Sequence, residues 1–572
     1  MTRLAELEPL LLPAPRRLER SEGRIAASDP TVQHSTEHGP EGYRLVVGCE
    51  QQGVRIETKT PAGEQRARAT LSQLERQYGA HIPRLVIDDW PTIERRGVSL
   101  DVSRDRVPTR ARLDRLVDAA AGWKLNEVEL YTEHTFAYAA HEAVWKDASP
   151  ITPDELREFD RRACALGVRW IANQNCFGHF ERWLKHPAYA DLAETHGAFE
   201  FEGIQLQGPF SLNPTDPRAL ELVRALLDEL LPCVTGGAVH LGCDETQDIG
   251  QGASAAAVKE SGAFAVWSEY VGALATHVND AGHEPRIWAD IALRWPERLA
   301  EQHPALVPIA WGYEPDHPFR AQASSLAASG RPFHLACGTS TWRGFTGRTT
   351  ERRGALSACV DAAREHGARG VMCTEWGDVG HRQVPVLGEF AWAEFAARAW
   401  NPEATPDPRA VSLHALDDPD LELAEWLADW GDLDRDLRAV SGIPHEGKPT
   451  RLRNANALFE ELHPSGFPYC LPDAIGPWHD ALERLEDLER KRPRASHAIT
   501  RQLQHAANQC RLALHVALAR RSPDPSPHSR VITDLAPYVV SEQRRLWCED
   551  SRLGGLEDSL DHWRKAVPEL GR

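Results

Sequence analysis

Two adjacent acids follow a short apolar run in the sequence AVHLGCDETQDIG, which begins at Ala238. Side chains alternate between the faces of a strand, so His240, Gly242 and Asp244 are predicted to share one polar face. Glu245 can join that face only if the strand ends and the chain turns. Two carboxylates at the carboxyl end of a strand are placed where α/β enzymes carry out acid–base chemistry.

Seven further apolar runs also end in polar or aromatic side chains. Together with AVHLGC, the runs GVSLDV, NEVELY, VRWIAN, RIWADI, VPIAW, FHLAC and GVMCT alternate mostly with helix-like segments. Eight such units predict an α/β protein with a (β/α)8 TIM barrel, whose strand ends converge on one pocket. The predicted strand ends carry Asp101, Arg104, Glu133, His134, Asn175, His179, Trp288, Asp290, Trp311, Tyr313, Trp342, Arg343, Glu375, Trp376 and Asp378.

The chain divides into three predicted domains, an α+β domain over 1–90, the barrel over 91–400 and a mainly helical region over 401–572. The first contains the strand-like runs YRLVVGCE, GVRIET and PRLVIDDW and the helix-like ATLSQLERQYG. In the barrel, TPDEL predicts a helix start with Thr152 as cap, Pro153 at the first position and Glu155 closing a capping box. The third region has amphipathic helices such as ALERLEDLERK, which predict structural support or a homo-oligomer contact.

Composition excludes several classes of binding partner. A net charge of −19 disfavours nucleic acid, because nucleic-acid binders usually present a basic surface. The sequence predicts no membrane span and no secretion signal in the first 25 residues. Eleven cysteines without a Cys-x-x-Cys pair favour buried thiols in a reducing, cytoplasmic setting, with neither a disulfide framework nor a zinc ribbon. A neutral small molecule or oligosaccharide is therefore the expected partner.

The barrel segment resembles glycoside hydrolase family 20, the β-N-acetylhexosaminidases. The resemblance lies in RRGVSLDVSRDRVPT, KLNEVELYTEHTF, GVRWIANQNCFGH, HLGCDE and TEWGDVGHRQ, in order and at similar spacing. LLPAPRRLERSEGRI is similar to the start of the α+β domain that often precedes this barrel. The resemblance implies a retaining exo-enzyme that removes terminal β-linked N-acetylglucosamine or N-acetylgalactosamine without a metal or other cofactor. In that mechanism the substrate's own acetamido oxygen attacks the anomeric carbon.

The resemblance also implies roles for individual residues. Glu245 is the expected general acid and base, and Asp244 is expected to stay ionised and orient the acetamido group. The residues expected to bind the sugar are Arg104, Glu133, His134, Asn175, His179, Trp288, Tyr313, Trp342, Trp376 and Asp378.

The sequence departs from the family pattern at five places that bear on the site. Cys243 replaces a glycine of the family motif, Glu133 stands where an aspartate is usual, His134 stands where a second aspartate is common, and Asp378 replaces a glutamate. Arg343 stands where the family has a tyrosine that hydrogen-bonds the acetamido oxygen, for which Tyr313 or Tyr131 is a candidate substitute. Two alternatives remain open, a carbohydrate-binding pseudoenzyme and a metal-dependent barrel hydrolase.

Overall fold

A five-stranded sheet with one covering helix forms the N-terminal region of the computed structural model. The structure describes residues 2–48, 53–104, 106–201, 203–442, 451–463 and 470–567, so Cys49 and Glu50 of the predicted run YRLVVGCE lie outside it. The elements of this region are α1 (Thr2–Ala5), β1 (Arg17–Ala26), β2 (Thr31–His34), β3 (Tyr43–Val47), β4 (Val54–Thr58), α2 (Pro61–Tyr78) and β5 (His81–Asp89). The sheet has the order β1-β5-β3-β4-β2.

Helix α2 covers one face of this sheet because its apolar side chains recur at helical spacing. Ala67, Leu71 and Leu74 are buried against Leu45 and Ile87 of the sheet. The three predicted strands and the helix are present, while β1 and β2 were missed. Most of the β1 and β2 side chains are exposed, so the apolar alternation that marks a half-buried strand is weak there.

The eight predicted barrel strands are present as β6 (Arg95–Asp101), β7 (Glu127–Tyr131), β8 (Arg169–Asn173), β11 (Ala238–His240), β12 (Glu284–Trp288), β13 (Val307–Trp311), β14 (His334–Gly338) and β15 (Gly370–Glu375). They close into a parallel barrel of order β11-β12-β13-β14-β15-β6-β7-β8, which confirms the predicted fold class. The remaining strands, β9 (Ala198–Phe201) and β10 (Ile204–Gln207), pair as a hairpin in the connection after β8.

Helices connect the barrel strands except between β12 and β13, where two short 3-10 helices take their place. The predicted capping box at Thr152 is present, with reciprocal bonds to Glu155. The helices of this region are α3 (Arg110–Gly122), α4 (Glu142–Trp145), α5 (Pro153–Ala165), α6 (Glu181–Leu184), α7 (Pro217–Leu230), α8 (Ala255–Ser261), α9 (Ala263–Asp280), α10 (Phe319–Ala328), α11 (Thr349–His366) and α12 (Pro385–Trp400).

The chain beyond the barrel is helical in its described parts. Its helices are α13 (Pro408–Ala415), α14 (Leu423–Gly431), α15 (Arg435–Ala439), α16 (Ala457–Leu462), α17 (Gly476–Arg490), α18 (His497–Arg521), α19 (Ser526–Asp550) and α20 (Leu556–Ala566). One continuous hydrophobic core runs from the barrel helices into α14, α17 and α18. The division at residues 90 and 400 therefore stays a proposal, because the second boundary crosses a shared core. Among the described residues, no helix is both long and apolar enough to cross a membrane.

Candidate active site

Strand β11 ends at His240, and the chain then turns tightly to present both acids. Gly242, Cys243 and Glu245 have positive φ angles of 65°, 66° and 56°. A Cβ on Gly242 would lie 2.4 Å from the side-chain oxygen of Asn175, so only glycine fits there. Cys243 holds a left-handed conformation that costs a side chain roughly 1–2 kcal/mol, which is a physical reason for glycine at this place in the family.

The acidic pair is held by contacts with the turn after β8. Asn175 donates a hydrogen bond of 3.0 Å to Asp244. The Nε2 of His179 lies 3.4 Å from Asp244 and 3.2 Å from Glu245. The preceding residue, Gly178, allows this approach, because a Cβ there would lie 2.6 Å from the Asp244 carbonyl oxygen. The Asp244 side chain is about 10% exposed and that of Glu245 29%, so Glu245 is the more accessible acid.

The charges around the acidic pair shift the pKa values of Asp244 and His179 in opposite directions. Burial alone would raise the pKa of Asp244, but His179 and the hydrogen bond from Asn175 bring it below its usual value. Burial would lower the pKa of His179, yet the neighbouring carboxylates, chiefly Asp244, raise it well above its usual value. Asp244 is therefore ionised and His179 is a cation at neutral pH.

Asp290 supports the turn from the next strand. It accepts the backbone N–H of Glu245 at 2.9 Å, which fixes the direction of that residue. Burial, followed by the charge of Asp244, raises the pKa of Asp290 to about 7. Trp311 donates a hydrogen bond of 3.4 Å to the other carboxylate oxygen of Asp290.

Arg104 lies at the centre of an acidic cluster at the ends of β6, β7 and β15. Its guanidinium is 3.1 Å from Asp101, 3.4 Å from Glu133 and 3.5 Å from Asp378. The same group lies 5.5 Å from the ring centroid of Trp376, within cation–π range. This arrangement leaves a planar hydrogen-bond donor on an aromatic wall, a geometry suited to sugar hydroxyls.

Aromatic rings from β12 to β15 form a small cluster separate from the main core. Trp288 lies 6.0 Å from Trp376, and Tyr313 packs edge-on against Trp342 at 4.9 Å. The indole of Trp376 donates a hydrogen bond of 2.7 Å to the Tyr313 hydroxyl. These rings wall a cavity of about 730 Å³, which is in the size range of small-molecule binding sites. Of the predicted residues, the cavity is lined by Arg104, His179, Asp244, Glu245, Trp288, Tyr313, Trp342, Trp376 and Asp378.

Two predicted residues lie beneath this lining. Asn175 is fully buried and contacts Asp244, and it also donates 2.9 Å to the Tyr131 hydroxyl. Glu133 accepts a hydrogen bond of 3.1 Å from Tyr131 and lies 3.8 Å from His179. Burial raises the pKa of Glu133 to about 7 although Arg104 opposes this. Both residues therefore contact side chains of the lining without lining this cavity themselves.

His134, which the sequence predicts to bind the sugar, lies apart from the other predicted residues. It does not line the main cavity and lies instead at a separate cavity of about 100 Å³ with Val107, Val144 and Lys185. Its neighbour in sequence, Glu133, lies 3.4 Å from Arg104 instead. Burial lowers the pKa of His134 to about 3, so it is neutral.

The departure at Arg343 is explained by the C-terminal helices. Arg343 lines the cavity, but its guanidinium donates to Glu460 of α16. Its carbonyl accepts from the backbone of Asn456 at 2.8 Å, and the side chain of Asn456 accepts from the N–H of Phe345 at 2.8 Å. The segment before α16 therefore clamps the loop after β14.

Several cavity residues were missing from the predicted set. Trp311 was recognised at a strand end but not selected. Phe201, Leu206 and Phe210 come from the β9–β10 insertion, and Arg453 and Asn454 come from the C-terminal region. Their positions depend on long-range packing, and no local motif marks them.

His179, Asp244 and Glu245 are also the one group within the described chain whose ligand atoms lie close enough for a metal ion, all within 4.8 Å. A metal ion binds neutral imidazole, so His179, whose pKa the neighbouring carboxylates raise, would have to lose a proton on binding one. In the structure the three side chains contact one another.

A (β/α)8 barrel with paired carboxylates and an aromatic-walled cavity at its carboxyl end defines a glycosidase type of site. The catalytic-domain model of glycosyl hydrolase family 20 matches residues 94–413, and the domain 2 model of the same family matches residues 11–90. The first match spans more than half of the chain, so the chain belongs to glycosyl hydrolase family 20, which confirms the predicted resemblance.

Relatives with curated names share parts of this region. Hexosaminidase D of Homo sapiens is 28% identical over 193 residues, covering 32% of this chain and 38% of that protein. Beta-N-acetylhexosaminidase of Cellulomonas fimi is 27% identical over 272 residues, covering 44% and 51%. Lacto-N-biosidase of Bifidobacterium bifidum is 26% identical over 267 residues, covering 44% and 23%. The matched region thus spans less than two thirds of each of these relatives.

Solved structures share the fold. The Flavobacterium johnsoniae chitobiase has a TM-score of 0.58 at 14% identity, covering 96% of this chain and 98% of that one. The GH20 beta-N-acetylhexosaminidase of Streptomyces coelicolor A3(2) has a TM-score of 0.55 at 17% identity, covering 73% and 96%.

Proposed function

We propose that this protein is a retaining exo-β-N-acetylhexosaminidase that removes terminal β-linked N-acetylglucosamine or N-acetylgalactosamine by substrate-assisted catalysis. The observation that carries the proposal is the adjacent pair of Asp244, held by Asn175 and His179, and the more accessible Glu245, in a cavity walled by tryptophans. Family membership and the curated hexosaminidase relatives support the same activity.

The proposed reaction has two steps. Glu245 donates a proton to the glycosidic oxygen while the acetamido oxygen attacks the anomeric carbon, which releases the alcohol and forms a cyclic oxazolinium. Asp244 accepts the acetamido N–H and stabilises the positive charge of the ring. Water, deprotonated by Glu245, then attacks the same carbon and reopens the ring. Two inversions give net retention.

Tyr313 is the proposed substitute for the family tyrosine. Tyr313 lines the cavity, and its hydroxyl accepts the indole N–H of Trp376, which leaves the hydroxyl proton to be donated. Tyr131 is less suited, because it is fully buried and its hydroxyl is engaged by Glu133 and Asn175. Arg343 is held by Glu460 and leaves this task to Tyr313.

Exo action is supported by the acidic cluster around Arg104. Arg104 and Asp378 would bind the outer hydroxyls of the sugar, and the tryptophan rings would pack on its apolar faces. A terminal N-acetylhexosamine then fills the inner part of the cavity, and products are released one residue at a time.

The decisive experiment is turnover of chromogenic β-N-acetylglucosaminide and β-N-acetylgalactosaminide by the purified chain. Both should be hydrolysed, and a thiazoline analogue of the cyclised intermediate should inhibit competitively and tightly. Hydrolysis of plain β-glucosides at comparable rates, or a covalent sugar trapped on a carboxylate, would contradict the mechanism.

The same assay separates the alternatives. A pseudoenzyme would bind the thiazoline without turnover, and a metal hydrolase would lose activity after chelation and regain it with metal. We expect activity to be unchanged by chelation.

A reducing, cytoplasmic location is also proposed, supported by ten described cysteines that are all free thiols.

A further inference from the structure

The N-terminal sheet carries a row of charged side chains on the face opposite α2. In register, Arg17 of β1 pairs with Asp88 of β5, and Asp88 pairs with Arg44 of β3. Their neighbours Leu45 and Ile87 point to the buried side against α2. Since side chains alternate along strands, the charged row lies on the open face.

An aromatic pair continues this row at the end of β5. Trp90 is partly exposed, and its ring lies 6.1 Å from that of His38 at an interplanar angle of 19°. The Arg17 guanidinium lies 5.8 Å from the indole centroid. These residues, with Glu37, Arg44 and Asp88, line an open groove of about 450 Å³.

The polar groups of the groove are already oriented. Arg44 donates to both oxygens of Asp88 at 3.2 Å, and the imidazole of His38 lies 3.5 Å from the same carboxylate. The two arginines and the two acids, Glu37 and Asp88, nearly cancel in charge. The groove therefore suits a neutral ligand rather than an anion or a cation.

A sugar ring matches this surface, because one face presents C–H groups and its edge presents hydroxyls. The C–H face packs on a ring such as Trp90, and planar side chains such as Arg17 and Arg44 donate to hydroxyl oxygens. We propose that the groove is a second binding site for a neutral oligosaccharide, separate from the catalytic cavity. The choice of an N-acetylglucosamine chain as the ligand rests on the proposed function.

The groove and the cavity lie at opposite ends of the barrel. Trp90 comes five residues before Arg95, where β6 begins, whereas the acidic cluster starts at Asp101, where β6 ends. The seven residues of β6 span about 20 Å at ~3.3 Å per residue. A single sugar cannot contact both, so the groove would hold a different part of a glycan or a different chain.

The test is a titration of the whole chain, saturated with the thiazoline, with a soluble β-1,4-linked N-acetylglucosamine hexamer by calorimetry. We expect about one remaining site per chain. Trp90→Ala should weaken that site by about threefold to tenfold, the scale of one aromatic contact. Tyr538→Ala is the matched control, because Tyr538 is 48% exposed on α19, away from the groove.

Arg17→Ala provides a second variant that keeps the indole and removes an exposed side chain, in case Trp90→Ala lowers the melting temperature. It should also weaken binding while aryl N-acetylglucosaminide turnover stays at the wild-type rate in both variants. Absence of hexamer binding to the blocked chain, or equal affinity in Trp90→Ala, Arg17→Ala and Tyr538→Ala, would overturn the proposal. Absence of aryl N-acetylglucosaminide turnover by the wild-type chain would instead reject the proposed function. The comparison of hexamer affinities among the variants would still decide whether the groove binds the oligosaccharide.

Discussion

The two ends of the barrel both bury charges, but they balance them differently. At the amino end, Glu127 lies 2.6 Å from Arg286 and 3.3 Å from Arg169. Burial would raise the pKa of Glu127, yet Arg286 brings it far below its usual value. At the carboxyl end, Asp290 is half-buried, and desolvation together with the charge of Asp244 raises its pKa to about 7.

This contrast separates stability from chemistry. A carboxylate that faces guanidinium groups is ionised throughout the neutral range and anchors the strands around it. Carboxylates that lie close together disfavour each other's ionisation, so the pKa of one of them rises toward neutral pH. Acid–base catalysis near neutral pH requires such a raised pKa. The charges at the amino end are therefore expected to stabilise the fold. The crowded carboxylates at the carboxyl end are expected to lower its stability and to serve catalysis.

The largest expected effect is on turnover from Glu245→Gln. Loss of the general acid should lower kcat by about 10³-fold on unactivated substrates. Aryl glycosides with good leaving groups should lose least in the first step, because they need little protonation. Steady-state kinetics with a series of leaving groups measure this, and Glu260→Gln, on the exposed surface of α8, is the control. Equal losses across the series would remove Glu245 from the proposed role.

At the other end of the barrel, Glu127→Gln should destabilise the fold without changing the chemistry. It leaves Arg286 and Arg169 buried beside a neutral amide, and the free energy of unfolding should fall by about 3 kcal/mol. Denaturant titration measures this, and kcat should be unchanged in the folded protein. The exposed pair of Glu301 and Arg298 gives a control, since Glu301→Gln should have no measurable effect. A fall in kcat with unchanged stability would break the comparison.

Asp290→Asn should have the opposite effect on stability. A carboxyl whose pKa is near 3.8 unfolded and about 7 folded favours the folded state below pH 4, and that contribution is lost as the pH rises through 7. The amide removes this loss, so the free energy of unfolding at pH 8 should rise by about 1–2 kcal/mol while turnover falls. Unfolding measured from pH 4 to 8 tests the sign, and a stability lower than wild type at pH 8 would contradict it.

The smallest expected effect sharpens the assignment of Tyr313. Tyr313→Phe removes one hydrogen bond to the acetamido oxygen, so turnover of N-acetyl substrates and thiazoline affinity should both fall about fivefold to tenfold. Tyr78→Phe, whose hydroxyl bonds to Leu7 in the N-terminal region, is the matched control. If the thiazoline inhibits Tyr313→Phe as tightly as the wild type, Tyr313 is not the donor to the acetamido oxygen, and Arg343 and Tyr131 become the candidates.

Much of the site could be predicted from the sequence because barrel topology fixes where strand ends meet. Once eight apolar runs predict the barrel, Arg104, His179, Asp244 and Trp376 must face one end of it, and the structure brings them together around one cavity. The placement of His134 outside this cavity could not be predicted in the same way, because it follows β7 in a bend where no strand period fixes the direction of the side chain.

The sequence by itself determined the order of strands, the acidic pair and the turn that presents it, because periodicity and glycine placement act over a few residues. Only the tertiary structure decided which groups hold protons, since the pKa of Asp290 depends on burial and on Asp244 from another strand. It also decided that Arg343 is held by Glu460, across more than a hundred residues of chain. Electrostatics and packing depend on distances in space, and those distances are set only when the whole barrel and its C-terminal helices close together.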